Sequence, residues 1–71
     1  MDTVSIKYTN YKGITEDRMV DPVSLKFKST EWHPEKQWLL KAYCHERDAV
    51  REFAVKDIQN YSLNQLKQMG S

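Results

Sequence analysis

The chain has 71 residues, which is enough for one small domain and too few for a second. Eleven Lys and Arg residues against ten Asp and Glu residues give a net charge of +1, so the strongly basic composition of a non-specific DNA-binding domain is absent. A single cysteine excludes an internal disulfide, and the lack of a signal-peptide pattern or a long apolar segment favours a cytoplasmic location without a membrane partner.

The first half of the sequence predicts three strands. Val4–Thr9 alternates apolar and polar residues, as a half-buried strand does. The turn Asn10–Gly13 leads into a second strand at Ile14–Val20. Pro22 cannot donate a hydrogen bond to a strand ladder and is expected to end it. Alternation resumes in a third strand, Val23–Lys28.

The second half predicts two more strands. A polar loop, Ser29–Lys36, precedes the strand Gln37–Cys44, which is partly apolar on both faces and is therefore expected to be central in the sheet. The polar residues 45–48 suit a hairpin loop before the fifth strand, Val50–Val55. On these patterns Trp38 and Phe53 are expected in the core.

The C-terminal segment predicts short helical structure. Lys56–Ile58 suits one helical turn. Ser62 with Gln65 three residues later forms a capping-box pattern, so a short helix is expected from about Leu63. Residues 1–59 then form a mainly β unit, a bent antiparallel sheet or small barrel of five strands, and residues 60–71 form the helix and tail.

No residue pattern indicates catalysis or a bound metal or cofactor. Cys44 ends a predicted strand and His45 follows it directly; adjacent side chains on an extended chain diverge, so the two cannot act as a nucleophile and its base. Three or four converging metal ligands are not suggested by any spacing. With only two glycines, Gly13 and Gly70, the chain has no glycine-rich phosphate loop. We therefore expect a protein that is not an enzyme.

Basic residues on the predicted strands are the main functional signal. Lys41 and Arg51 lie on rigid elements, and Arg18 on a more exposed one. Two interpretations stay open, a scattered solvated charge or a patch that binds phosphate, with Tyr8 offering a ring for stacking. Trp32 in the polar loop is expected either to cover the end of the barrel or to contact a ligand or partner.

Several sequence elements carry a resemblance to a known family. They are Ile6-x-Tyr8, Gly13, Arg18-x-Val20, Pro22, Leu25, Trp38-Leu39-Leu40, Ala42-Tyr43-Cys44, Arg51-x-Phe53 and Ile58. In this order they resemble the WYL domain, a small Sm/SH3-like β-barrel of bacterial transcriptional regulators. The blocks Ser29–Glu35, Gln37–Leu40 and Arg51–Ile58 are also similar to short stand-alone proteins of bacteria and phages.

The resemblance implies a ligand-sensing module that binds nucleic-acid-derived ligands or single strands. By position, Arg51 and Tyr8 are the ligand-binding residues it favours, with Arg18 third, and strand geometry adds Lys41. Leu39 stands where the family has its name-giving tyrosine, so no role of that hydroxyl is carried over. The length leaves no room for a helix-turn-helix, which implies action alone, as a homo-oligomer or on a regulator protein.

Two functions follow as expectations. The first is a cytoplasmic, non-enzymatic regulatory module that binds an anionic ligand, either a nucleotide or a single-stranded nucleic acid. The alternative is a protein-interaction module, such as a phage-encoded factor that docks on a host or regulator protein. An exposed Trp32 with apolar surroundings and without clustered positive charge would favour the alternative.

Overall fold

The computed structural model describes residues 3–69, which form a four-stranded antiparallel sheet followed by one short helix. The strands are β1 (Val4–Thr9), β2 (Thr15–Lys28), β3 (Gln37–Cys44) and β4 (Ala49–Ala54), then a 3-10 turn at Val55–Asp57 and helix α1 (Leu63–Met69). The spatial order β1-β2-β3-β4 follows the chain, so each pair is a hairpin and β1 and β4 are the edges of an open sheet. The mainly β fold with a C-terminal helix is confirmed.

The prediction of five strands is wrong because the second and third predicted strands are one long strand, β2. Pro22 lies within it, buried and paired with Ala42 of β3. Proline is tolerated at strand edges and bulges, and both conditions hold here. Pairing with β1 ends at Val20, and the register with β3 shifts between Pro22 and Ser24. The expected five-stranded closed barrel is therefore replaced by an open sheet of four strands.

The hairpin turn between β1 and β2 forms as expected. The side-chain oxygen of Asn10 accepts hydrogen bonds from the backbone N–H groups of Lys12 and Ile14, at 2.9 and 3.1 Å. Gly13 has a φ of 80°, a conformation that glycine adopts without steric cost. In the β3–β4 turn Asp48 has a φ of 51°, in the left-handed region that aspartate visits more often than most residues.

One apolar cluster lies on one face of the sheet and is covered by the C-terminal helix. Its buried members are Ile6, Val20, Leu40, Ala42, Cys44, Phe53, Ile58 and Leu66. The burial predicted for Phe53 is confirmed, at 5% exposure. The burial predicted for Trp38 is wrong, because this side chain is only partly buried at the end of β3. Its ring meets the exposed Phe27 edge-on and lies under the ammonium of Lys67.

The C-terminal helix packs against this core through the buried Leu66 and the partly buried Met69. Leu66 is fully buried, and the capping box predicted at its start is confirmed: Ser62 N–H donates to Gln65 Oε1 at 2.7 Å, and Gln65 N–H donates to Ser62 Oγ at 3.2 Å. At seven residues the helix is too short to be stable by itself. Its packing through Leu66 therefore maintains it.

The segment between the 3-10 turn and α1 runs along the free edge of β1. Ile58 forms an isolated antiparallel bridge with Tyr8, and the N–H of Gln59 donates to the carbonyl of Lys7 at 2.7 Å. The Asn60 side chain accepts from the N–H of Lys7 and donates to the carbonyl of Ser5, at 2.8 and 2.9 Å. These bonds satisfy backbone groups that an edge strand would otherwise leave exposed.

No helix within residues 3–69 has the length and apolar character required to cross a bilayer. The cytoplasmic location and the division of the chain after residue 59 stay predictions.

Candidate functional site

A shallow groove of about 510 Å³ lies between β4 and the loop that joins β2 to β3. We call it the β4 groove. It is lined by Lys28, Thr30, Trp32, His33, Lys41, Ala49, Val50, Arg51 and Glu52. Alternation along the paired strands places Lys26, Lys28 and Lys41 on one sheet face, because their cross-strand partners are Leu39, Gln37 and Ser24. Of these three lysines, Lys28 and Lys41 line the β4 groove and give it a basic wall.

Two of the cations in the β4 groove have no carboxylate partner. Lys28 pairs with Glu52 at 2.8 Å, which neutralises that lysine. Lys41 and Arg51 are exposed and form no ion pair with any residue in the described part of the chain. They leave a net positive charge in the groove, and guanidinium and ammonium groups are the usual phosphate ligands of proteins.

The strand register places the side chains of Lys41 and Arg51 on opposite faces of the sheet. Lys41 pairs with Glu52, and Arg51 pairs with Ala42, so the two side chains leave the sheet on opposite faces. Both still line the β4 groove, because β4 is an edge strand and is accessible from both sides. A ligand that contacts both would have to wrap around this edge.

A second groove, of about 320 Å³, lies on the other side of the β2–β3 loop. We call it the Tyr8 groove. It is lined by Tyr8, Tyr11, Trp32, His33, Pro34, Glu35, Gln37, Lys56 and Asp57. Trp32 and His33 thus belong to both grooves and form the ridge between them.

Tyr8 packs partly against the core. Its hydroxyl accepts a hydrogen bond from the Ala54 N–H at 3.3 Å, and its ring meets Phe53 edge-on with 5.0 Å between centroids. Burial raises the pKa of the Tyr8 phenol above its usual 10.0, while the bond from Ala54 acts in the opposite direction. Tyr8 therefore offers only part of its ring to a ligand.

Arg18 lies outside both grooves. Its guanidinium pairs with Glu16 at 3.4 Å on β2. It also lies close enough to Glu46 to help lower the pKa of that carboxyl group, whose main stabilising contact is the backbone N–H of Met19 at 3.1 Å. The structure thus groups Lys41 with Arg51, puts Tyr8 in the neighbouring groove and separates Arg18 from all three.

The carboxylate of Glu46 ties the β3–β4 turn to β2, which predicts acid sensitivity. Its pKa is lowered below 4.5 in the folded state, chiefly by the Met19 N–H. A depressed carboxyl pKa contributes stability that is present above about pH 5 and is lost as pH falls through the folded pKa. We expect the melting temperature to fall between pH 5 and pH 3, and to fall less in Glu46→Gln. Glu31→Gln in the exposed loop is the control. An unchanged pH profile in Glu46→Gln would contradict the assignment.

Lys28 of the β4 groove was missed in the sequence, and Trp32 was left with two alternatives. Lys28 was visible only as a polar position on a strand, although the alternation of Lys26 and Lys28 already placed them on one face. Trp32 was left between packing and exposure. It is 81% exposed, so the expectation that it covers the end of a barrel is wrong.

Cys44 does not form a reactive site with its neighbours. Its thiol is 1% exposed and donates to Glu46 Oε1 at 3.5 Å. His45 lies in the turn after β3, and its Nε2 contacts Asp21 Oδ1 at 3.0 Å. Within residues 3–69, no group of three or more His, Cys, Asp or Glu side chains converges in a way that would hold a metal ion.

The fold and the grooves define a small β domain with two shallow surface grooves, separated by the exposed Trp32 and His33, of which the β4 groove is basic. A family model of the WYL domain matches residues 2–63, most of the chain, and the protein belongs to the WYL domain family. WYL domains are generally ligand-sensing regulatory domains. No curated protein and no solved structure matches the chain.

The family's central motif has a leucine in place of its tyrosine. Leu39 is 1% exposed and pairs with Ala54 of β4, which is also fully buried. Neither belongs to the main core cluster, since both are on the opposite face of the sheet. The position is therefore filled by packing, without a hydroxyl for hydrogen bonding.

Proposed function

We propose that this WYL domain is a regulatory sensing module that binds an anionic ligand, a nucleotide or a single-stranded nucleic acid, in the β4 groove without converting it chemically. The observation that carries the proposal is the pair of cations, Lys41 and Arg51, without carboxylate partners beside the exposed ring of Trp32. A phosphate supplies the missing negative charge, and a base supplies a partner for the ring.

The groove is open and shallow, which suits a flexible chain or a small ligand held at the surface. In a domain of net charge +1, the positive charge is local, so binding depends on this patch rather than on the whole surface. We expect a second copy of the chain or a regulator protein to recognise the ligand-bound domain.

A protein-interaction module in the cytoplasm is the second candidate function, and the exposure of Trp32 favours it. Large exposed aromatic residues are enriched at protein interfaces. However, Lys28 and Lys41 line the same groove as this tryptophan, and lysines are depleted at such interfaces. The combination favours the anionic ligand over a protein partner.

The test is a fluorescence anisotropy titration with labelled single-stranded oligonucleotides, competed by mononucleotides, at about 50 and 200 mM salt. Affinity should fall as salt rises, because each phosphate contact releases counterions. Arg51→Ala and Lys41→Ala should each weaken binding by about 1.5–3 kcal/mol, the range for hydrogen bonds to charged groups. Each should also reduce the salt dependence by roughly one ion.

Arg47→Ala is the matched control, because it removes the same charge from an exposed position in the β3–β4 turn outside both grooves. It should bind nearly as wild type does. Equal losses in Arg47→Ala and Arg51→Ala would mean that only net charge matters. If wild type fails to bind every oligonucleotide and nucleotide, the protein-interaction function replaces the proposal.

A further inference from the structure

The Tyr8 groove is lined by aromatic and proline rings that folding leaves largely uncovered. Tyr11 is 93% exposed and Trp32 is 81% exposed, Pro34 beside them is exposed, and Tyr8 presents part of its ring. The ammonium of Lys12 lies 5.7 Å from the centre of the Tyr11 ring, on a flexible stem that a ligand can displace. The Trp32 indole N–H and the Tyr11 hydroxyl are also hydrogen-bond donors. The groove can therefore contact an apolar surface and donate to carbonyl oxygens at the same time.

Two ordered turns hold these exposed rings in place. In the β2–β3 loop, Thr30 N–H donates to the His33 carbonyl at 2.8 Å, and His33 N–H donates to the Thr30 carbonyl at 3.1 Å, so the backbone on both sides of Trp32 is fixed. Across the groove, Tyr11 lies in the hydrogen-bonded turn between β1 and β2. The groove is therefore largely formed before a ligand binds, which lowers the entropy cost of binding.

The charged side chains that line the Tyr8 groove are acidic in balance. Glu35 and Asp57 supply two carboxylates against the single ammonium of Lys56. Neither carboxylate forms an ion pair with another residue in the described part of the chain. Burial is the main cause of the raised pKa of Tyr8, and the carboxylate of Asp57 adds to it, so Asp57 lies close to that ring. The Tyr8 groove therefore disfavours phosphate and favours a cation.

We infer that the Tyr8 groove binds an extended, proline-rich segment of a partner protein that carries a basic residue beside its prolines. This site goes beyond the proposed function, because it is a different groove with the opposite preference for charge. A polyproline II segment has about three residues per turn and no internal hydrogen bonds, so it presents proline rings and free carbonyl oxygens to a partner. Aromatic-lined grooves recognise such segments. The prolines pack on Tyr11 and Trp32, and the cation of the segment meets Glu35 and Asp57.

The experiment is a fluorescence anisotropy titration with three labelled peptides. The first peptide is Arg-Ala-Pro-Pro-Ala-Pro-Pro-Ala-Pro. The second has glutamate in place of the arginine, and the third has alanine in place of every proline. We expect the first peptide to bind most tightly. The second should bind roughly 10-fold more weakly, because it brings a like charge to the two carboxylates, and the third should lose at least as much with the proline contacts.

Variants of the groove locate the binding site. Tyr11→Ala and Trp32→Ala should each weaken binding of the first peptide roughly 5- to 30-fold, as truncation of an anchoring aromatic residue does. Phe27→Ala, at an exposed aromatic position outside both grooves, is the matched control and should bind as wild type does. Glu35→Gln should weaken the first peptide and reduce its advantage over the glutamate peptide. Asp17→Asn, at an exposed position outside both grooves, should do neither.

The failures of the two proposals are distinguishable. Equal binding of the first and third peptides, equal binding of the first and second, or wild-type affinity in Tyr11→Ala and Trp32→Ala would overturn the peptide site. Absence of binding by every peptide would also overturn it, and the anionic site would stand. Lys41→Ala should bind the peptide as wild type does, so failure of the oligonucleotide titration leaves this inference in place. If sedimentation velocity shows a dimer that Tyr11→Ala dissociates, the occupant is a second copy and the inference is wrong.

Discussion

Phe53→Ala should reduce the free energy of unfolding by about 3–5 kcal/mol, the usual cost of deleting a buried aromatic ring. Phe53 is 5% exposed, lies opposite Leu40 of β3 and meets the ring of Tyr8 from β1 at 5.0 Å. It therefore joins the edge strand β4 to the central strand and, through Tyr8, to the other edge. Domains have only about 5–15 kcal/mol of stability in total, so the variant should be close to unfolding.

Phe27→Ala is the matched control for this prediction. The same atoms are removed from a ring that is 56% exposed and meets the partly buried ring of Trp38 edge-on, outside the core cluster. We expect a loss below about 1 kcal/mol, as for most surface substitutions. Urea unfolding followed by circular dichroism measures both variants. Equal shifts in the urea midpoint would contradict the position of Phe53 in the core.

Local pattern predicted the strands well where each was flanked by a clear turn. The bounds of β1 and β3 agree with the alternation in the sequence, and the capping box located the start of α1. β2 was divided in two because Pro22 is a strand breaker in isolation. Its tolerance depends on where pairing with β1 ends and on a bulge against β3, and both are properties of the assembled sheet.

Burial was harder to predict at the ends of strands. Trp38 has the same parity as Leu40 and Ala42, so its face was predicted correctly. The residues that cover that face do not extend to the end of β3 where Trp38 lies. The cross-strand neighbour of Trp38, Phe27, is exposed, and the ammonium of Lys67 from α1 lies over the Trp38 ring. Alternation in the sequence shows which face of the sheet a residue occupies. How far other parts of the chain cover that face depends on the tertiary structure.

The grooves were only partly predictable for the same reason. Arg51 and Lys41 were recognisable as cations on rigid strands, yet the register that puts them on opposite faces of an edge strand is not local information. Arg18 was ranked below them in the sequence, and the structure places Glu16 and Glu46 beside it. Trp32 gained its significance from its position between two grooves, which depends on how the loop packs against β4 and the 3-10 turn.

Leu66→Ala should destabilise the domain by about 2–5 kcal/mol, although it lies in a seven-residue helix near the end of the chain. Leu66 is fully buried in the same cluster as Ile6, Val20 and Phe53. The helix is too short to persist alone, so loss of this contact should also free the residues around it. Truncation of Leu66 therefore removes both core packing and the contact that stabilises the helical conformation of α1.

Asn64→Ala is the control on the same helix, because Asn64 is exposed and alanine has the higher helix propensity. It should leave stability unchanged or raise it by a few tenths of a kcal/mol. Leu66→Ala should in addition increase amide hydrogen exchange in residues 58–60, which bond to β1 just before the helix begins. If Leu66→Ala and Asn64→Ala unfold at the same urea concentration, α1 is an appendage and the core ends with Ile58.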